Sequence, residues 1–280
     1  MAFADRLAEA VRRKGPLCVG IDPRWESLPA KLRDDHPPQA AYARFITRVL
    51  ELVEPFAGVV KFQSAFFEGW AGGVDVLRDE LEDAHGQGFV SILDAKRGDI
   101  ASTADAYASA AFNHFAAHSL TVNPYLGEDA VQPFIAAARK SDGGLFVLVR
   151  TSNPGGGLFQ NLVCDGKPLY RHVGDAVARW NAPTVGACGL GDIGAVVGAT
   201  HPRELAELRE ALPDVWFLVP GYGAQGGTAA DVRAAFRADG LGAVVNSSRG
   251  VTFPFHPDDP QWEAKIVEAA KRAQAELTAG

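Results

Sequence analysis

Eight short apolar runs, separated by amphipathic stretches, constrain this chain more than any other feature. They lie at 17–21, 58–62, 89–93, 120–123, 145–149, 195–199, 215–219 and 242–246, rich in Val, Ile and Leu. A strand with one wet face alternates apolar and polar residues; a strand covered on both faces reads as a continuous apolar run and belongs in a parallel sheet flanked by helices. Between the runs, helical patterns are predicted over about 39–54, 74–85, 102–118, 129–140 and 169–180, with a further helix opened by His201-Pro202 and a last one over 259–275. Eight such strands close into an α/β fold of the (β/α)8 TIM-barrel class, with an extra N-terminal helix within residues 1–14 covering the barrel bottom. A doubly wound open sheet is the competing arrangement. The 280 residues suit one such barrel and show no boundary, so 1–280 is expected to be a single barrel domain.

Composition excludes several functions. Apolar residues are 47% of the chain, enough for a large core, and the net charge of −7 carries no basic stripe. Binding to a nucleic-acid backbone is therefore not expected. No run approaches the roughly 18 apolar residues of a membrane span, and residues 1–14 lack the apolar region of a signal peptide. Cys18, Cys164 and Cys188 are odd in number, far apart and outside any C-x-x-C pair, which fits reduced thiols in a cytoplasm.

Chemistry gathers where the strands are expected to end. After the third run come Asp94-Ala95-Lys96-Arg97-Gly98-Asp99. Residues i and i+2 of a strand share a face, so Asp94 and Lys96 are expected to point together, with Arg97 and Gly98 breaking the strand, Asp99 in the turn and Ser102 or Thr103 capping the next helix. Alone, such a cluster reads as an ordinary solvated salt bridge. Asp22, Lys61, Asn123, Ser152, Gln225 and Arg249 fall at other strand ends, however, and a barrel sets strand ends on one rim, its active face. Pro220 to Gly227 contains four glycines, including Gly223, whose N–H groups are expected to converge on a phosphate that Arg249 grips with two donors. His114 and His118 lie four apart but lack the acid of an H-E-x-x-H motif, so no metal is expected there; Ser152 has no histidine placed to activate it. The connection from about 150 to 192 is the longest, and its first half is expected to be irregular.

These residues closely resemble the orotidine 5′-phosphate decarboxylase family, in particular its longer bacterial form, over nearly the whole chain. The most specific element is D-x-K-R-x-D-I-x-x-T at Asp94 to Thr103, followed by Val219 to Gly227; Gly20-Ile21-Asp22-Pro23, Lys61 with Gln63, Thr151 to Gly155 and Ser248-Arg249-Gly250 add to it. The resemblance implies a homodimer with shared active sites, acting on a nucleotide without cofactor or metal and releasing CO2 to form UMP. It implies Lys96 as proton donor to C6, Asp94 beside the departing carboxylate, and Lys61 holding Asp94 and a ribose hydroxyl. Asp99 and Thr103 would be lent by the partner subunit. Asp22 would bind a ribose hydroxyl, Ser152 the pyrimidine edge, and Gln225 and Arg249 the phosphate. The nearest rivals are related barrel enzymes that act on sugar phosphates with Mg²⁺; a noncatalytic nucleotide sensor is the alternative outside enzymes.

Overall fold

The computed structural model describes residues 1–223 and 226–279. Eight parallel strands close into a barrel in chain order: β1 (Leu17–Ile21), β2 (Val59–Gln63), β3 (Val90–Arg97), β4 (Ser119–Val122), β5 (Gly144–Arg150), β6 (Gly191–Val197), β7 (Val215–Val219) and β8 (Ala243–Ser247), with β8 pairing back onto β1. The open-sheet alternative is thereby set aside. The main outer helices are α2 (Pro38–Val53), α3 (Gly73–Gly86), α4 (Ala101–Ser109), α5 (Glu128–Lys140), α6 (Leu169–Asn181), α7 (Pro202–Ala211) and α8 (Trp262–Thr278). Between β7 and β8 the helix shrinks to one turn, Ala229–Val232. No described helix is long and apolar enough to cross a membrane.

Strand alternation divides the core in two. One set of residues, among them Val19, Val60, Leu93, Leu145 and Phe217, packs outward against the helices. The other, including Cys18, Val59, Ile92, Phe146, Trp216 and Val244, fills the barrel interior. Helix α1 (Phe3–Lys14) closes the bottom as expected: fully buried Phe3 meets the Phe146 ring edge-on, with centroids 6.0 Å apart. The lower interior is thus largely apolar, with Ser119, paired with Ile92, as a buried polar exception whose hydroxyl donates to the Ser91 carbonyl.

Several expected boundaries moved, each for a local reason. β3 does not stop before Arg97: the chain takes a left-handed turn at Lys96 (φ 48°) and pairing resumes at Arg97. No side chain caps α4, whose cap position is Ile100, and its expected continuation to 118 widens into a π-helical stretch at Ala110–His114. β6 begins at Gly191, four residues before the expected start. The long connection is more ordered than expected, carrying the short helix Gly157–Gln160 and a hairpin pairing Val163–Cys164 with Lys167–Pro168. His118 packs its ring 4.0 Å from that of His85, and its Nδ1 accepts the Ser91 N–H.

Glu80 on α3 is the one carboxylate here buried without a cation among the described residues. It is 4% exposed against α2 and accepts only the Thr47 hydroxyl, at 3.2 Å. Burial pushes its carboxyl up to about 8. The folded state therefore holds a proton that the unfolded chain releases at ordinary carboxylate pH, so stability is intact at low pH and is lost as pH rises toward 8. Glu80→Gln is expected to raise the melting temperature near pH 8.5 by at least about 2–4 °C and to change it little near pH 4.5. Scanning calorimetry at both pH values checks this; equal shifts at the two would be evidence against it.

Candidate active site

At the C-terminal mouth of the barrel lies a cavity of about 670 Å³. Its wall includes Asp22 after β1, Lys61 and Gln63 from β2, Asp94 and Lys96 from β3, Thr151, Ser152 and Asn153 after β5, and Asn246, Ser248 and Arg249 from β8 onward. Leu148, Val196 and Leu218 give it an apolar floor continuous with the sealed interior.

Asp94 is the centre of the site. It is 6% exposed, and both carboxylate oxygens are taken. Oδ2 lies 2.9 Å from Lys61 Nζ and accepts from Gln63 Nε2 at 3.1 Å. Oδ1 accepts from Lys96 Nζ at 2.6 Å and from the Thr121 hydroxyl at 2.9 Å. Burial alone pushes this carboxyl up; the two ammonium groups outweigh it and hold Asp94 at about 2. Lys61 is buried beside it, with Asp22 Oδ1 3.7 Å from its Nζ. Burial disfavours the Lys61 charge, yet Asp94 and Asp22 move its pKa above the ordinary lysine value. Asp22 Oδ1 is buried and accepts no hydrogen bond among the described residues. Four charges thus alternate along the cavity, Asp22, Lys61, Asp94 and Lys96, with only the last reaching well into solvent.

Two glycines let loops close around this line. A Cβ on Gly20 would stand 1.9 Å from Ser248 Oγ, and one on Gly198 would stand 2.8 Å from the Ser152 backbone. Only a bare backbone lets the loops after β8 and β5 lie this close.

The remaining expected residues divide. Ser152 and Arg249 line the cavity, but Asp99 and Thr103 do not. The Asp99 carboxylate accepts the N–H of Ile100 at 2.8 Å, and Thr103 is exposed on the first turn of α4. Gly223 donates its N–H to the Gly227 carbonyl at 2.8 Å, while Gly226 and Gly227 donate to carbonyls of Gly223 and Gly221. The expected convergence of these glycine N–H groups on an anion is therefore not seen: left-handed turns fold the loop onto itself. Gln225 lies outside the described residues. Asn123, expected on the rim, is exposed beyond the end of β4, its side chain capping the N–H of Tyr125. The inward position on β4 belongs to Thr121, one pleat lower. Sequence reading passed over it because a threonine inside an apolar run looks like strand filler; the shared parity of 121 and 123 was the available signal. Arg24, whose guanidinium sits over the Phe66 ring at 5.1 Å, was also missed and lines the cavity.

Comparison with known proteins agrees with this geometry. Residues 15–265 match the model of the orotidine 5′-phosphate decarboxylase / HUMPS family. The chain belongs to that family. An orotidine 5′-phosphate decarboxylase of Rhodopirellula baltica is 46% identical, covering 99% of each chain, and one of Halobacterium salinarum is 41% identical, covering 99% of this chain and 98% of its own. Among solved structures, the OMP decarboxylase of Leishmania donovani is 37% identical, with a TM-score of 0.82 over 100% of this chain and 98% of its own. For a member of the orotidine 5′-phosphate decarboxylase family, the sequence resemblance and the fold reading thus agree.

Proposed function

We propose that this cavity decarboxylates orotidine 5′-phosphate to UMP and CO2, the last step of UMP biosynthesis, with Lys96 protonating C6. The observation that carries the reading is the Asp94 carboxylate clamped between two ammonium groups, at 2.9 and 2.6 Å, over an apolar floor. Loss of CO2 from an sp² ring carbon leaves an electron pair that the ring's π system cannot delocalise. A fixed ammonium placed at that carbon stabilises the charge as it develops and then supplies the proton. Lys61 holds Asp94 and a ribose hydroxyl, the unpartnered oxygen of Asp22 accepts a second hydroxyl, Ser152 meets the pyrimidine edge, and Arg249 with Gln225 takes the phosphate. Asp94 has both oxygens occupied, so it offers an incoming substrate carboxylate only like charge, and leaving as neutral CO2 relieves it. Phosphate binding far from C6 contributes to the chemical step by closing the mouth loops.

The structure of the charge line favours this reading over a Mg²⁺-dependent sugar-phosphate reaction. The place between Asp22 and Asp94 where two carboxylates would hold a divalent ion is filled by the Lys61 ammonium. We also propose a homodimer in which Asp99 and Thr103 complete the partner's cavity, since neither lines its own. Ile100, Tyr107, Tyr125 and Leu126 expose apolar surface on the same β3 and β4 connections, as an interface would require. A cytoplasmic location accords with three free cysteines. An ultraviolet assay with orotidine 5′-phosphate is expected to show turnover that EDTA leaves unchanged; no loss of substrate absorbance at micromolar enzyme would refute the reaction, and EDTA inhibition would favour the metal-dependent branch.

A further inference from the structure

We infer that Thr121 is the positioning residue that sets Lys96 at the reacting carbon, an inference that rests on the decarboxylase reading. The argument begins with register. β3 and β4 pair at Leu93 with Leu120 and again at Arg97 with Val122, so β3 advances four residues while β4 advances two. The surplus bulges out of the ladder at Asp94, Ala95 and Lys96. Thr121 is the one β4 residue opposite that bulge.

A bulge leaves backbone donors without their ladder partners, and a buried N–H left unpaired is costly. Here the Lys96 N–H donates to Thr121 Oγ1 at 2.9 Å, so a side chain does what the β4 backbone cannot. The same hydroxyl donates its proton to Asp94 Oδ1 at 2.9 Å, the oxygen that also accepts Lys96 Nζ. One oxygen therefore holds both ends of the Asp94–Lys96 pair, the carboxylate on one side and the lysine backbone on the other. Lys96 needs this hold, because its left-handed backbone (φ 48°) is unfavourable for a residue with a Cβ. Released, the backbone would relax toward extended geometry and carry Nζ away from Asp94. Thr121 itself is 1% exposed and does not line the cavity, so it touches no substrate. Serine keeps the two bonds; valine keeps the shape and loses both.

Kinetics of the wild type, Thr121→Val and Thr121→Ser with orotidine 5′-phosphate test this in one assay, whose wild-type arm separately tests the reaction itself. Thr121→Val is expected to lower kcat by about 10²-fold, the cost of a misplacement near 1 Å, with KM little changed. Thr121→Ser is expected to restore most of the rate. Wild-type turnover with an equally fast valine variant would overturn the inference, as would a loss that serine does not rescue. If the valine variant fails to fold, Thr121→Cys, which keeps the volume with a weak donor, takes its place. A crystal structure of the folded variant decides the point independently of turnover. Displacement of Lys96 Nζ from Asp94 supports the role; an unchanged left-handed Lys96 still bonded to Asp94 overturns it.

Discussion

Lys96→Ala is expected to lower kcat by at least about 10²-fold, the ordinary contribution of a positioned proton donor, while product UMP still binds. The loss falls on kcat because the ammonium acts on charge that exists only as the carbon–carbon bond breaks. The grip on ribose and phosphate proposed for Asp22, Lys61 and Arg249 is left in place by the substitution. Alanine also takes away one of the two cations that hold the Asp94 carboxyl at about 2, while Lys61, Gln63 and Thr121 remain to pair it. Nucleotide binding measured by calorimetry separates this outcome from collapse of the site. Lys96→Arg preserves the charge but, with a planar guanidinium that does not release its proton, is expected to remain slow. A rate above about a tenth of wild type in Lys96→Ala would remove it from proton transfer.

The second large effect is a gain. Lys96→Ala and Asp99→Ala are each expected to be nearly inactive alone, yet mixing them with subunit exchange should restore about a quarter of wild-type activity. In a symmetric dimer half of the redistributed molecules are hybrids, and each hybrid has one intact site of two, hence half of one half. This follows from where Asp99 sits: it leaves β3 with Lys96 but bonds the Ile100 N–H and is not part of its own chain's cavity. Activity measured against mixing time, with exchange followed by native mass spectrometry, reads it directly. Exchange without recovery would return Asp99 to its own subunit's site.

Much of this was legible because the barrel writes itself in parity. Asp94 and Lys96 could be set together from strand parity and Lys61 at a neighbouring strand end, and the runs for β1, β2, β5 and β7 match the structure within a residue or two. What escaped was governed by contacts between distant segments. Gly191 and Gly194 fell before the run expected at 195–199, yet both are inside β6, where a Cβ would strike Asn181 at 2.1 Å and Phe146 at 2.7 Å. The bulge at Lys96 is equally invisible locally: nothing in Asp94-Ala95-Lys96 announces a left-handed residue, and only the opposing Thr121 hydroxyl makes one affordable. Capping of α4 was misread because Ser102 and Thr103 fall inside the first turn, two and three positions past the cap at Ile100.

The aromatic plug formed by Phe3 against Phe146 governs traffic. With the axis blocked below, the barrel is a dead-end well, and whatever enters must depart by the same opening. On the proposed reading, carbon dioxide, small and uncharged, can slip past a nucleotide still held by its phosphate. That architecture favours one sequence of departures: gas first, nucleotide last.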